Sequence, residues 1–162
     1  MQAPSFTYSL AKDLWSWLRP SKLQCSFNFS NSRCYVVNKA TREIRYRVEV
    51  SVIRGREVKG CRALILKVVC PNKTEVLINH GLPFAPSQDN QLQAVDIVHG
   101  QLHYVDVLYI SADNLVTICG PHWPSDINTE ELFSSPGVYD IQIRITSPSL
   151  SKAIDYDLEY VR

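Results

Sequence analysis

Ile44-Arg45-Tyr46-Arg47-Val48-Glu49-Val50-Ser51-Val52 decides the fold class. Every second side chain is apolar or aromatic, and those between are charged or hydroxylic. Successive side chains of a β-strand point to opposite faces, so a period of two marks a strand with one dry face and one wet one. A helix would space its apolar residues three and four apart instead. The same alternation returns in 139–145, where Tyr139, Ile141, Ile143 and Ile145 are separated by Asp140, Gln142 and Arg144. It returns again in 155–160, where Tyr156, Leu158 and Tyr160 are separated by Asp155, Asp157 and Glu159.

Outward from these segments, Cys61 to Cys70 is apolar on both parities, which suits a central strand covered on both faces. Weaker strand patterns fall near 24–29, 34–38, 74–79, 94–98, 102–110 and 115–119. Between them lies turn chemistry: Arg54-Gly55-Arg56, Pro71-Asn72, Pro83 to Asn90, Asp113-Asn114 and Pro121 to Ser125. Asp126 to Phe133 is expected to make one helical turn, capped by Ser125 or Asp126. Strands that recur without long helices between them argue for a sandwich or barrel and against βαβ units. The N-terminus breaks the pattern. Over 9–19, Leu10, Ala11, Leu14, Trp15, Trp17 and Leu18 fill one side of a helix and Lys12, Asp13, Ser16 and Arg19 the other. Ser9 caps its start and Pro20 closes its end. The expected division is therefore an amphipathic helix in 1–20 and a sandwich in 21–162.

Ser135-Pro136-Gly137-Val138-Tyr139-Asp140-Ile141-Gln142-Ile143 resembles the start of the penultimate strand of an immunoglobulin-like or fibronectin-like domain. There a tyrosine at the strand start buries its ring and returns its hydroxyl to nearby backbone. Arg45 to Val50, Val58 to Leu64, Val95 to Ile97 and Tyr104 to Val107 extend this likeness over roughly 40–161. In these segments the chain resembles uncharacterised prokaryotic β-sandwich proteins. The resemblance implies an antiparallel immunoglobulin-like sandwich of roughly seven to nine strands. It rests on packing positions and implies no activity. The antibody pattern of two core cysteines around a tryptophan is absent, since no Trp lies between Cys61 and Cys119.

Composition bounds the function. A chain of 162 residues can bury a core without metal or disulfide. Seventeen basic against sixteen acidic residues leave a net charge of +1, which gives no bulk attraction to nucleic acid. No stretch of 18 apolar residues exists to span a bilayer, and the N-terminus does not read as a signal peptide. A cytoplasmic setting is expected. Five cysteines, an odd number with no CxxC pair, read as reduced thiols; Cys25–Cys34 is the least implausible bridge. The sequons Asn28-Phe29-Ser30 and Asn72-Lys73-Thr74 carry weight only in a secreted chain.

No catalytic or phosphate-cradling motif is present. There is no GxSxG elbow, and the six glycines form no GxGxxG or P-loop pattern. His99 and His103 would lie about 13 Å apart on a continuous strand, too far for one metal ion unless Gly100 makes a turn, and two ligands fall short of the usual three or four. Cys119-Gly120-Pro121-His122 has CxxH spacing but no second pair to complete a site. No cofactor is expected. Asp155, Asp157 and Glu159 share one face of the last strand, which reads as a solvated, association-blocking face. The expected function is a non-enzymatic module that binds a protein partner or itself. Its contact residues would be Leu14, Trp15, Trp17 and Leu18 on the helix, and Trp123 on a proline-braced loop, with an exposed sheet edge as the other contact surface. Residues 9–19 hold two cations against one anion, which ranks membrane-surface contact behind a protein groove. The alternative is a sensor of an anionic metabolite or nucleotide, using Arg54, Arg56, Lys59, Arg62, His99 and His122 at one end of the sandwich. If Arg54 to Arg62 forms a hairpin beside Arg45 and Arg47, one edge becomes positive.

Overall fold

The computed structural model describes residues 20–85, 92–121 and 127–162. They form β1 (Lys22–Ser26), β2 (Tyr35–Asn38), β3 (Glu43–Arg54), β4 (Glu57–Val69), β5 (Glu75–Leu82) and β6 (Phe84–Ala85). Then follow β7 (Val95–Val98), β8 (Leu102–Ile110), β9 (Val116–Ile118), α1 (Thr129–Leu132), β10 (Val138–Thr146) and β11 (Ile154–Val161). One sheet runs β1-β3-β8-β6, with β2 also on β3 and β9 also on β8. The other runs β11-β10-β4-β5, with β7 on β4. All pairings are antiparallel.

The alternation that marked β3 sets the packing. Tyr46, Val48, Val50 and Val52 face inward, and Ile141, Ile143 and Ile145 meet them from β10. Val58, Cys61, Ala63, Ile65 and Val68 complete the second inner face from β4. Burying each Val or Ile side chain contributes roughly 1.5–3 kcal/mol, which is why the apolar parity rather than intrinsic strand preference fixes which face turns inward.

Strand β8 departs from simple alternation. Tyr46 pairs with Leu108 but Arg47 pairs with Asp106, so the register slips at Val107. The extra residue lets Val105 and Leu108 both face the core, three positions apart, and turns Asp106 to the outer side opposite Arg47.

Two connections pin the layers together. The chain passes from β3 in one sheet to β4 in the other through Gly55, at φ +86°. A Cβ there would sit 2.3 Å from Ser21 Oγ and 2.9 Å from Ser21 Cα, so glycine is required by both backbone and space. At the start of β10, the Tyr139 hydroxyl donates to the Ser135 carbonyl at 2.6 Å while its ring is buried against Phe133.

Several expectations change. Arg54 to Arg62 is no hairpin beside Arg45 and Arg47: β3 and β4 do not pair, because Gly55 carries the chain across the sandwich. The helical turn is capped by Asn128, whose side chain accepts from the Glu130 and Glu131 N–H groups. Among the described residues eleven strands stand where seven to nine were expected, because the flanks of β3, β4 and β8 are completed by short pieces, β6 among them. All five cysteines are free thiols, so Cys25 and Cys34 are not bridged. The expected helix at 9–19 lies outside the described residues.

Candidate interaction edge

A sheet ends at its edge strands, and each edge presents unpaired backbone groups that proteins ordinarily blunt. Three of the four edges here are blunted. β1 and β2 have five and four residues and are split by a loop; β6 and β9 have two and three. β5 is broken by a register shift between its Leu77 and His80 pairings, with Asn79 at φ +51°. β11 is different. It pairs with β10 over eight residues, Val138↔Val161 through Ile145↔Ile154, without a shift.

Its hydrogen-bond phase follows from one pair. Gly137 and Arg162 exchange both backbone bonds, Gly137 N to Arg162 O at 3.3 Å and Arg162 N to Gly137 O at 3.0 Å. Doubly bonded pairs alternate with unbonded ones in an antiparallel ladder. Tyr160, Leu158, Tyr156 and Ile154 therefore bond to β10. Asp155, Asp157, Glu159 and Val161 turn their N–H and C=O groups the other way, and among the described residues no strand pairs with that side.

The outer face of this edge is acidic. Asp155 is held by Arg144 through two hydrogen bonds, 2.6 Å from Nε and 2.8 Å from Nη2, which lower its carboxyl below the ordinary value. Asp157 stands opposite Gln142, and Glu159 stands opposite Asp140. Like charges directly opposite one another disfavour a sheet. Among the described residues no ion pair offsets Asp140, Asp157 or Glu159. On the inner side the edge borders an aromatic rim. Tyr160 meets Tyr46 edge-on at 5.5 Å, Tyr46 stacks on Phe27 at 5.6 Å, and Phe29 caps Phe27 at 4.8 Å while remaining 59% exposed.

A second polar cluster lies on the outer face of the other sheet. Asp106, 2% exposed, receives Arg47 Nε at 2.5 Å and faces Arg45 Nη1 at 3.5 Å. Arg45 also lies over the Tyr109 ring, 5.6 Å from its centre. Tyr109 donates its hydroxyl to Glu43, which also accepts from Thr41 at 2.8 Å. A cavity of about 400 Å³ opens here, lined by Glu43, Arg45, Tyr109, Thr117 and Cys119. Its titratable groups are tuned away from neutrality. The Tyr109 bond holds the Glu43 carboxyl low, the same bond pushes Tyr109 up, and burial pushes the Cys119 thiol up to about 12. None of these three is poised to exchange a proton near pH 7. Burial also raises Cys25 to about 12 and Cys61 to about 11, which suppresses their thiolates.

The residues expected to hold an anion are only partly brought together. Arg54, Arg56 and His99 meet at one end, where His99 N–H donates to the Arg56 carbonyl at 2.7 Å and Arg54 Nε to the Pro20 carbonyl at 3.3 Å. Lys59 is engaged by Glu57 at 3.1 Å. Arg62 lies on the outer face of the second sheet opposite Thr146. His122 and the expected contact residues Leu14, Trp15, Trp17, Leu18 and Trp123 lie outside the described residues. No group of three or more His, Cys, Asp or Glu could hold a metal among the described residues. No described helix is long and apolar enough to cross a membrane.

Sequence reasoning placed the three carboxylates of β11 on one face and offered an exposed sheet edge as a contact surface, but it did not identify which edge is open and missed the aromatic rim and the Asp106 cluster. Openness depends on which strands neighbour which, which no local pattern carries. Asp106 did leave a signal, a lone acid inside the apolar run Tyr104 to Leu108.

No protein-family model matches the chain, and no curated protein matches it in sequence. Among solved structures it is similar to a family 123 glycoside hydrolase from Clostridium perfringens, at 9% identity and a TM-score of 0.45. The match covers 88% of this chain and 27% of that one. At that level no residue's role carries over.

Proposed function

We propose that the chain is a non-enzymatic interaction module of immunoglobulin type, which binds an extended segment of a protein partner along the free side of β11. One observation carries the reading: β11 is long, regular and unpaired on one side among the described residues, while the other three edges are short or bulged. Strand addition to such an edge supplies main-chain hydrogen bonds for affinity and alternate side-chain positions for selectivity.

The immunoglobulin type is supported by strand order. Strands β1, β3, β8 and β6 stand in the order A-B-E-D of one sheet, and β11, β10 and β4 in the order G-F-C of the other. Tyr139 at the start of the F position, bonded four residues back to Ser135, is the tyrosine corner of that fold. The free thiols accord with a reducing, cytoplasmic setting.

Asp157→Pro tests the reading. Residue 157 makes no backbone bond to β10, so proline removes an outward donor and leaves the ladder whole. Partner capture is expected to be lost with the unfolding midpoint moved by only a few degrees. Undiminished capture by the folded variant would count against the edge. The second reading, an anionic metabolite or nucleotide held at Arg54, Arg56 and His99, is favoured by the convergence of those three residues at one end. A thermal shift with phosphate or nucleotide, lost in Arg54→Ala/Arg56→Ala, is its test.

A further inference from the structure

We infer that the segment received by β11 belongs to another protein and alternates basic with apolar residues, and that a second copy of this chain is not the occupant. This rests on the reading of β11 as the binding edge and adds the partner's chemistry.

The argument starts from self-pairing. Two copies joined antiparallel through their free edges set outward-bonding residues against outward-bonding residues. The registers of greatest overlap then place acids of one copy opposite acids of the other, as 157 against 159, 157 against 157, or 159 against 159, and only registers slipped to a short overlap, such as 159 against 161, avoid this. Like charges directly opposite are unfavourable on a sheet, and here they repeat along the strand. The same charges suit a different guest. Arg144 occupies Asp155, but Asp140, Asp157 and Glu159 have no ion-pair partner among the described residues. A guest strand beside β11 sends every second side chain to this outer face, where lysine or arginine answers Asp157 and Glu159. Its other side chains point inward. There they meet the border of the sandwich where Tyr156 reaches the Phe27 backbone, with Phe29 and Tyr35 beyond it. Apolar residues fit that side. Period two with a basic outer face and an apolar inner face is thus the pattern the edge selects.

The probe is a short blocked peptide of alternating lysine and valine, added to the full chain. Controls are a glutamate–valine alternation and a peptide with the same lysines and valines sorted into two blocks. Binding is read by titration and by amide hydrogen exchange in β11. The lysine–valine peptide is expected to slow exchange at Asp157, Glu159 and Val161, and the block peptide to leave it unchanged. Reversing the charges in Asp157→Lys/Glu159→Lys is expected to weaken that peptide about tenfold and to admit the glutamate peptide instead. Circular dichroism of the variant checks its fold, and the peptide controls on the unaltered chain decide the matter if it does not fold.

If the glutamate peptide protects the same amides of the unaltered chain equally well, the edge stands and the basic chemistry falls. If the lysine peptide binds without protecting those amides, attraction is electrostatic alone and strand addition falls. If the outward amides are already protected before any peptide is added, the chain covers its own edge and both readings fall. If the acidic edge nonetheless pairs with itself, a dimer whose mass is lost in Asp157→Pro overturns the choice of occupant alone.

Discussion

Asp106 shows how a single side chain is tied to its place by charge. It is buried on the wet side of its sheet because Arg47 and Arg45 replace the water it gives up. Asp106→Ala leaves Arg47 half-buried without its carboxylate, and the expected loss is about 1.5–3 kcal/mol, read from the urea midpoint. A loss near zero would mean that solvent already screens the pair. His103 carries a pH signal of its own. Its Nε2 is buried with no hydrogen-bond partner among the described residues, and desolvation lowers its pKa below the ordinary 6.5. The unfolded chain therefore takes up this proton first. Stability is unaffected above the unfolded value and falls as pH drops through it, levelling below the folded value. The carboxyls held low by partners, Asp155 and Glu43, act in a separate window: their contribution is present above their ordinary values of 3.8 and 4.5 and is lost as pH falls through their lower folded values. The slope of unfolding midpoint against pH between about 7 and 5 should flatten in His103→Leu. An unchanged slope would assign that slope elsewhere.

At the scale of elements, the parity of β3, β10 and β11 was legible because each has one dry face and one wet one, and side-chain alternation is a local property of sequence. The boundaries of β8 were also legible, and those of β3 to within two residues. The slip at Val107 was not, since it satisfies core positions set by the neighbouring strand β3. Nor was the two-residue strand β6, which is too short to write a period. The passage from β3 to β4 was legible as a turn at Gly55 but not as a crossing between sheets. That crossing makes a prediction: Gly55→Ala must hold φ +86° with a Cβ against Ser21, at an expected cost of about 1–3 kcal/mol by thermal or urea unfolding. A neutral result would show that the Ser21 backbone moves aside freely.

For the whole molecule, two layers with one shared core follow from sequence, because seven or more half-buried strands have few other ways to hide their apolar faces. The site does not follow, because an open edge is a property of neighbours. Three edges close themselves by brevity or a bulge, and β11 alone among the described strands keeps a long regular flank. Its acids serve both facts at once, discouraging a second copy and favouring a basic strand. The most direct test is residue-resolved amide hydrogen exchange on the full, unliganded chain. The account predicts an alternation along β11, with Tyr156, Leu158 and Tyr160 exchanging slowly and Asp155, Asp157, Glu159 and Val161 exchanging fast. Uniform slow exchange along all of β11 would contradict it, because the edge would then be occupied already.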